Sequence, residues 1–107
     1  MKVINRIKKN EDFALAIKTG RSIRADSFVL HIKKNELTHA RVGVSVSKKL
    51  GNAVVRNHIK RQIRSMCEAH VDYSKSVDIV IVARHPYLDR TYQENSDILK
   101  LYLSQFI

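Results

Sequence analysis

Acidic residues are missing from a long stretch of this 107-residue chain. None stands between Glu36 and Glu68, while seven Lys or Arg do: Arg41, Lys48, Lys49, Arg56, Lys60, Arg61 and Arg64. A solvated protein face normally mixes both signs, so this absence excludes an ordinary charge-balanced surface and points to a polyanionic partner. Cysteine is nearly missing too. Cys67 stands alone, so no internal disulfide can form, which fits a reducing compartment; its place beside an apolar helical stripe reads as a packed thiol rather than a nucleophile. No apolar run approaches the roughly 20 residues that a spanning helix needs. The basic N-terminus is not followed by the apolar stretch of a signal peptide. The reading is a cytoplasmic protein with no membrane partner. No repeat or low-complexity linker interrupts the chain, so residues 1–107 read as a single domain. Its 44% hydrophobic content supports a modest core and excludes disorder.

The positive charge has an address. Residues 1–67 carry a net +12 and residues 68–107 a net −2, within a whole-chain charge of +10. The densest part is residues 48–64, with six Lys/Arg, two Asn and no acid in one turn and one helix. At about 100° per residue, Val55, Ile59, Ile63 and Met66 form one narrow apolar stripe that can face a core. Arg56, Lys60 and Arg64 recur at i, i+4 and i+8, and Asn57 and Arg61 form the neighbouring row. Gly51-Asn52 supplies a tight turn and an N-cap. Arg offers a planar fork for phosphate, and Asn offers paired donors and acceptors for sugar or base edges. A membrane-surface helix fits less well, because the stripe is Val/Ile without Trp or Phe.

The string Arg56-Asn57-x-x-Lys60-Arg61-x-x-Arg64, preceded by Lys48-Lys49-x-Gly51-Asn52-Ala53-Val54, resembles the signature of the bacterial ribonuclease P protein subunit. Asn5-Arg6-Ile7-Lys8-Lys9-Asn10-Glu11-Asp12-Phe13 is similar to that family's N-terminal segment, and Arg41–Ser47 to its strand before the basic turn. The resemblance covers about residues 5–84.

Periodicity gives the elements. Asn10 is expected to cap a helix over residues 11–19, with acids in its first turn, Phe13 and Ile17 on one face, and Gly20 at C′. Residues 27–33 alternate as a strand, with Phe28, Leu30 and Ile32 on one side and Val29, His31 and Lys33 on the other. Residues 41–47 alternate with Val42, Val44 and Val46 inward and Arg41, Gly43, Ser45 and Ser47 outward. The basic helix runs over 54–70. The β-branched run 77–83 reads as a central strand buried on both faces. Thr91-x-x-Glu94 is a capping box opening a last helix, in which Ile98, Leu99, Tyr102, Leu103 and Phe106 can cover the sheet. The expected class is α+β, a small central β-sheet packed with helices in αβββαβα-like order. Strand 41–47, the basic helix and strand 77–83 form a β-α-β unit. A parallel pair would normally have a right-handed crossover; the resemblance implies the rare left-handed one.

A protein nuclease gathers carboxylates around magnesium or pairs two His as acid and base. Here the ten acids are scattered, and His31, His39, His58, His70 and His85 show no metal spacing. Glu11-Asp12 is explained by a helix N-terminus. Ser45-x-x-Lys48 matches a short acyl-transfer motif whose other parts are missing. No catalytic residue and no metal ligand is assigned. This agrees with what the resemblance implies: the RNA subunit of ribonuclease P removes the 5′ leader of precursor tRNA with magnesium, and the protein binds that RNA and the leader. The chain alone would bind no cofactor, and no protein partner is predicted.

Two surfaces follow from the resemblance. Lys48, Lys49, Asn52, Arg56, Asn57, Lys60, Arg61 and Arg64 would dock on the catalytic RNA. Phe13, Ile17, His31, Lys33 and Ser45 would line a cleft for the single-stranded leader, with Val29 and Arg41 as neighbours, because single strands bind by stacking on rings beside cations. From the residues alone Phe13 reads as core. Ile17 and His31 stand where many relatives have Phe and Tyr; His can stack, Ile cannot. A ribosomal or general RNA-binding protein fits the composition equally well, and a self-sufficient nuclease is a third reading.

Overall fold

The protein's computed structural model describes residues 2–107. Helix α1 (Asn10–Thr19) leads into strands β1 (Arg21–Ala25), β2 (Phe28–Lys34) and β3 (Arg41–Val46). The long helix α2 (Ala53–His70), strand β4 (Val77–Ala83) and helix α3 (Tyr92–Phe106) follow. Three short 3₁₀ turns lie at Val3–Asn5, Lys48–Leu50 and His85–Asp89. The four strands form one mixed sheet in the order β1-β2-β4-β3, antiparallel except for the parallel β3–β4 pair. The expected αβββαβα order and the central place of 77–83 both hold. Five of the seven residues of β4 are buried, as a β-branched strand covered on both faces requires.

The main core lies on one face of the sheet. Phe28 and Leu30 of β2, Val42 and Val46 of β3, and Ile79, Ile81 and Ala83 of β4 pack against Ile59, Ile63, Met66 and Cys67 of α2 and Leu99 and Leu103 of α3. Burial pushes the Cys67 thiol up to about 12, so it is a packed, inert thiol. The capping box of α3 forms in full: the Glu94 amide donates to the Thr91 hydroxyl at 3.1 Å, and the Thr91 amide donates to the Glu94 carboxylate at 2.8 Å.

Several boundaries differ from expectation. Lys9, not Asn10, caps α1, because its carbonyl accepts from the Asp12 and Phe13 amides. Gly20 keeps an extended backbone with φ of −76°, since the chain runs directly into β1 without reversing. The strand expected over 27–33 runs from Phe28 to Lys34. The strand expected over 41–47 stops at Val46, because Ser47 turns to cap the 3₁₀ turn, where its hydroxyl accepts from the Lys49 amide. Val55 is 38% exposed; the buried stripe of α2 starts one turn later, at Ile59. No helix among the described residues is long and apolar enough to cross a membrane.

Candidate nucleic-acid interface

The entrance to α2 is rigid for local reasons. Gly51 has φ of 150°, and a Cβ there would sit 2.8 Å from Val55 Cγ1, so only glycine fits without strain. Asn52 then caps the helix, its side-chain oxygen accepting from the Val55 amide at 3.0 Å. Lys48 and Lys49 precede a helix whose first turn holds no acid, so lysine charge adds to the positive end of the helix dipole.

Along α2 the cations divide by their angle to the core. Arg56 and Lys60 flank the buried stripe and are half-buried; Asn57 and Arg61 are exposed. Arg64 is half-buried, and its pKa is lowered by lost hydration and then by the facing charge of Arg6. Asn57, Arg61 and Arg64 converge with Arg6, Ser65 and Glu68 on an open concavity of about 460 Å³. Arg6 arrives from the other end of the sequence. It bridges to Val42 beside β3, and the next amide, that of Ile7, donates to the Val42 carbonyl at 3.0 Å.

The second candidate surface is the sheet face opposite the main core. Strand register lays it out in rows: Lys33–Asp78–Arg41, then Ser22–His31–Val80–Gly43, then Arg24–Val29–Val82–Ser45. Helix α1 lies across this face on Phe13 and Ala16, which pack with Ile7, Val80 and Val82. The Phe13 ring sits directly over Gly43, where a Cβ would come within 2.6 Å of its Cε1. At one flank of α1, Arg41 forms a forked ion pair with Asp78, with Nε to Oδ1 at 2.9 Å and Nη2 to Oδ2 at 2.6 Å. The same guanidinium donates to Asp12 of α1 at 3.3 Å, and Asn35 donates to Asp78 at 2.8 Å. Burial pulls the Asp78 carboxyl upward, but the hydrogen bonds from Arg41 and Asn35 and the Arg41 charge hold it below the usual carboxylate range. At the other flank, Ile17 is 43% exposed and the row ending in Ser45 is left open, with Val29, Val82 and Ser45 half-buried and Arg24 exposed. His31 shares a 2.9 Å hydrogen bond with Ser22, and burial lowers its pKa, which favours the neutral ring.

Comparison with known proteins decides between the readings of this geometry. A family model described as Ribonuclease P matches residues 1–106. The chain belongs to the ribonuclease P protein family. Among its relatives, the ribonuclease P protein component of Exiguobacterium sibiricum is 43% identical over 94% of this chain and 88% of its own length. That of Bacillus mycoides is 47% identical over 88% and 84%. The solved structure of the Staphylococcus aureus RNase P protein superposes with a TM-score of 0.85 at 44% identity, covering 94% of this chain and 93% of that one. The Thermotoga maritima RNase P protein gives 0.84 at 27% identity, covering 95% and 97%. The chain is thus the protein subunit of an endoribonuclease, ribonuclease P, in place of the general RNA-binding alternative.

Within this ribonuclease P protein, the eight expected RNA-docking residues fall on one continuous segment, the turn at 48–50, the Asn52 cap and helix α2. Only Asn57, Arg61 and Arg64 share the concavity. The five expected leader residues divide. Phe13, Ile17, His31 and Ser45 border the open strip, whereas Lys33 lines a separate concavity on the far flank of α1 with Asp12, Leu15 and Leu37. Arg41 is committed to Asp78 and Asp12. Arg6 and Arg24 are cations that residue-level reading passed over. Arg24 had a signal, alternation within Arg21–Ala25, but only Ile23 and Ala25 are buried there. Among the described residues, no three His, Cys, Asp or Glu side chains gather as metal ligands.

Proposed function

We propose that this subunit, acting as one RNA-binding domain, docks on ribonuclease P RNA through Lys48, Lys49, Asn52, Arg56, Asn57, Lys60, Arg61 and Arg64. It grips the 5′ leader of precursor tRNA on the open strip beside α1, through Phe13, Ile17, His31 and Ser45, with Lys33 at the helix's far flank. The RNA performs the cleavage and holds the magnesium that the holoenzyme requires. The protein lowers the repulsion between two polyanions. The particle works in the cytoplasm. The observation that carries this reading is the concentration of cations on α2 and its entrance turn, in a stretch with no acid from residue 37 to residue 67. Its charge-balanced counterpart, residues 68–107, forms β4 and α3, which serve as scaffold.

Reconstitution with ribonuclease P RNA tests the reading. Arg61→Glu should weaken assembly while leaving the fold intact, and each lost phosphate contact should flatten the logarithmic salt slope by roughly 0.7–0.9. Phe13→Ala should weaken binding of precursor tRNA with a long leader more than that of mature tRNA, because stacking contributes roughly 1–3 kcal/mol per base. Equal weakening of both RNAs would return Phe13 to a purely structural role. Single substitutions at Glu11, Asp12, His31, His39 and His58 should leave the chemical step intact in saturating single-turnover assays; loss of that step by orders of magnitude, with assembly intact, would place catalysis on the protein.

A further inference from the structure

The N-terminal segment is fixed in a way its sequence does not announce. Asn5 is 7% exposed and its side-chain Nδ2 donates to the Ala40 carbonyl at 2.8 Å; Ile7 is 5% exposed in the small cluster beneath α1. Between these two anchors, Arg6 is held by backbone pairing to Val42 and points the other way, to the concavity on α2. We propose that Arg6 forms, with Arg61 and Arg64, a clamp for a single RNA phosphate, extending the basic surface of α2 onto the N-terminal segment. This inference rests on the docking role proposed for α2.

The chemistry of the concavity fits a phosphate. Three guanidinium groups supply forked donors on one opening, and Asn57 and Ser65 add neutral polar groups at its wall. Glu68 lines the same concavity, one turn beyond Arg64, so the phosphate belongs at the other end, toward Asn57 and Arg61. Arg6 faces Arg64 across this opening, and the Arg64 pKa is lowered first by lost hydration and then by the Arg6 charge, so the two cations are held together at a cost. An anion between them removes the cost. Backbone anchoring on both sides of Arg6 means that little chain entropy remains to be lost on binding.

The test uses the full chain and ribonuclease P RNA, with Arg6→Gln, Arg64→Gln, the double variant and Arg61→Gln. Arg6→Gln should weaken RNA binding roughly tenfold at moderate salt and flatten the salt slope by about one phosphate contact. The thermal midpoint of the free variant at low salt should equal or exceed that of the wild type, since a like-charge contact is relieved. The double variant should lose less affinity than the product of the two single losses, because both side chains hold the same group. Wild-type affinity and slope for Arg6→Gln, with Arg61→Gln impaired, would overturn the clamp and leave the docking role of α2 standing. Unchanged binding in every variant would overturn both. A fall in thermal midpoint parallel to the fall in affinity would make Arg6 a structural residue and overturn the clamp.

Discussion

Strand β4 sends alternate residues to two unlike surroundings. Ile79, Ile81 and Ala83 are at most 4% exposed and meet two helices, α2 and α3. Asp78, Val80 and Val82 face one helix, α1, which with Ile7 covers part of their face and divides the rest into two flanks. The closed side contains Phe28, Leu30, Ile63, Met66 and Leu99, all at 0% exposure. The half-covered side carries an ion pair, a histidine, two serines and a ring over a glycine. Apolar burial on the first side supplies the stability that lets the second keep polar groups and a partly wet surface. A binding strip needs that arrangement, since a face sealed by a second helix could not receive a nucleic-acid strand.

The largest effect should come from the closed side. Ile63→Ala should cost about 3–4 kcal/mol, from lost transfer energy plus a cavity that the packed surroundings cannot fill, measured by urea unfolding. A loss below about 1 kcal/mol would break the contrast between the faces. Next comes the charged flank. Asp78→Asn removes the carboxylate from a 7% exposed position and leaves Arg41 with Asp12 alone; about 2–3 kcal/mol should be lost, less than for a fully buried pair because Arg41 is 21% exposed. The pH dependence has a definite sign. The folded carboxyl lies below its ordinary value, so its contribution is complete above about pH 4 and drains as pH falls through the folded value. An acid titration of stability should show this drain in the wild type and lack it in Asp78→Asn.

Gly43→Ala sharpens the comparison from the α1 side. The added methyl meets the Phe13 ring, so α1 must shift, at a cost of about 1–2 kcal/mol. Leader affinity should fall further than stability alone explains if the ring's position matters. The smallest effect is expected at His31. His31→Phe should change stability by no more than about 0.5 kcal/mol at pH 7.5. The folded imidazole titrates below its ordinary value of 6.5, so the wild type should lose stability as pH falls from that value through the folded one, and the Phe variant should not. Superimposable profiles at pH 5 would show that the half-buried His31 ring does not disfavour its charged form.

What could be read from the sequence depended on how local its cause was. The Thr91–Glu94 box, the Asn52 cap, the alternation of Val42, Val44 and Val46, and the buried run of β4 are each set by neighbours within a few residues, and each formed. The cap of α1 was misplaced by one residue because Asn10 and Lys9 compete for one backbone position, and a preferred side chain does not settle which carbonyl takes the first bond. Strand β1 has only two inward positions, too few for periodicity to mark. The candidate site was half legible. The cations of α2 share one helix, so spacing alone grouped them. The distance between Lys33 and Ser45 could not be read, because strand alternation says which face a residue joins but not on which side of a crossing helix it falls. Arg6 belongs with α2 only through pairing with Val42, a contact across 36 positions of chain.

The sheet order has a consequence for how such a chain is made. Strand β4 is the last of the four in sequence and lies between β2 and β3, which do not pair with each other. During synthesis the β1–β2 hairpin can close early, since its partners lie next to one another along the chain. Strand β3 has no neighbouring strand of the sheet to join until residues 77–83 have left the exit tunnel; only the short bridge from Arg6 reaches it earlier. For that interval the most positively charged part of the protein is complete in sequence but not in structure. Insertion of that one strand, β4, then completes an antiparallel pairing on one side and a parallel pairing on the other.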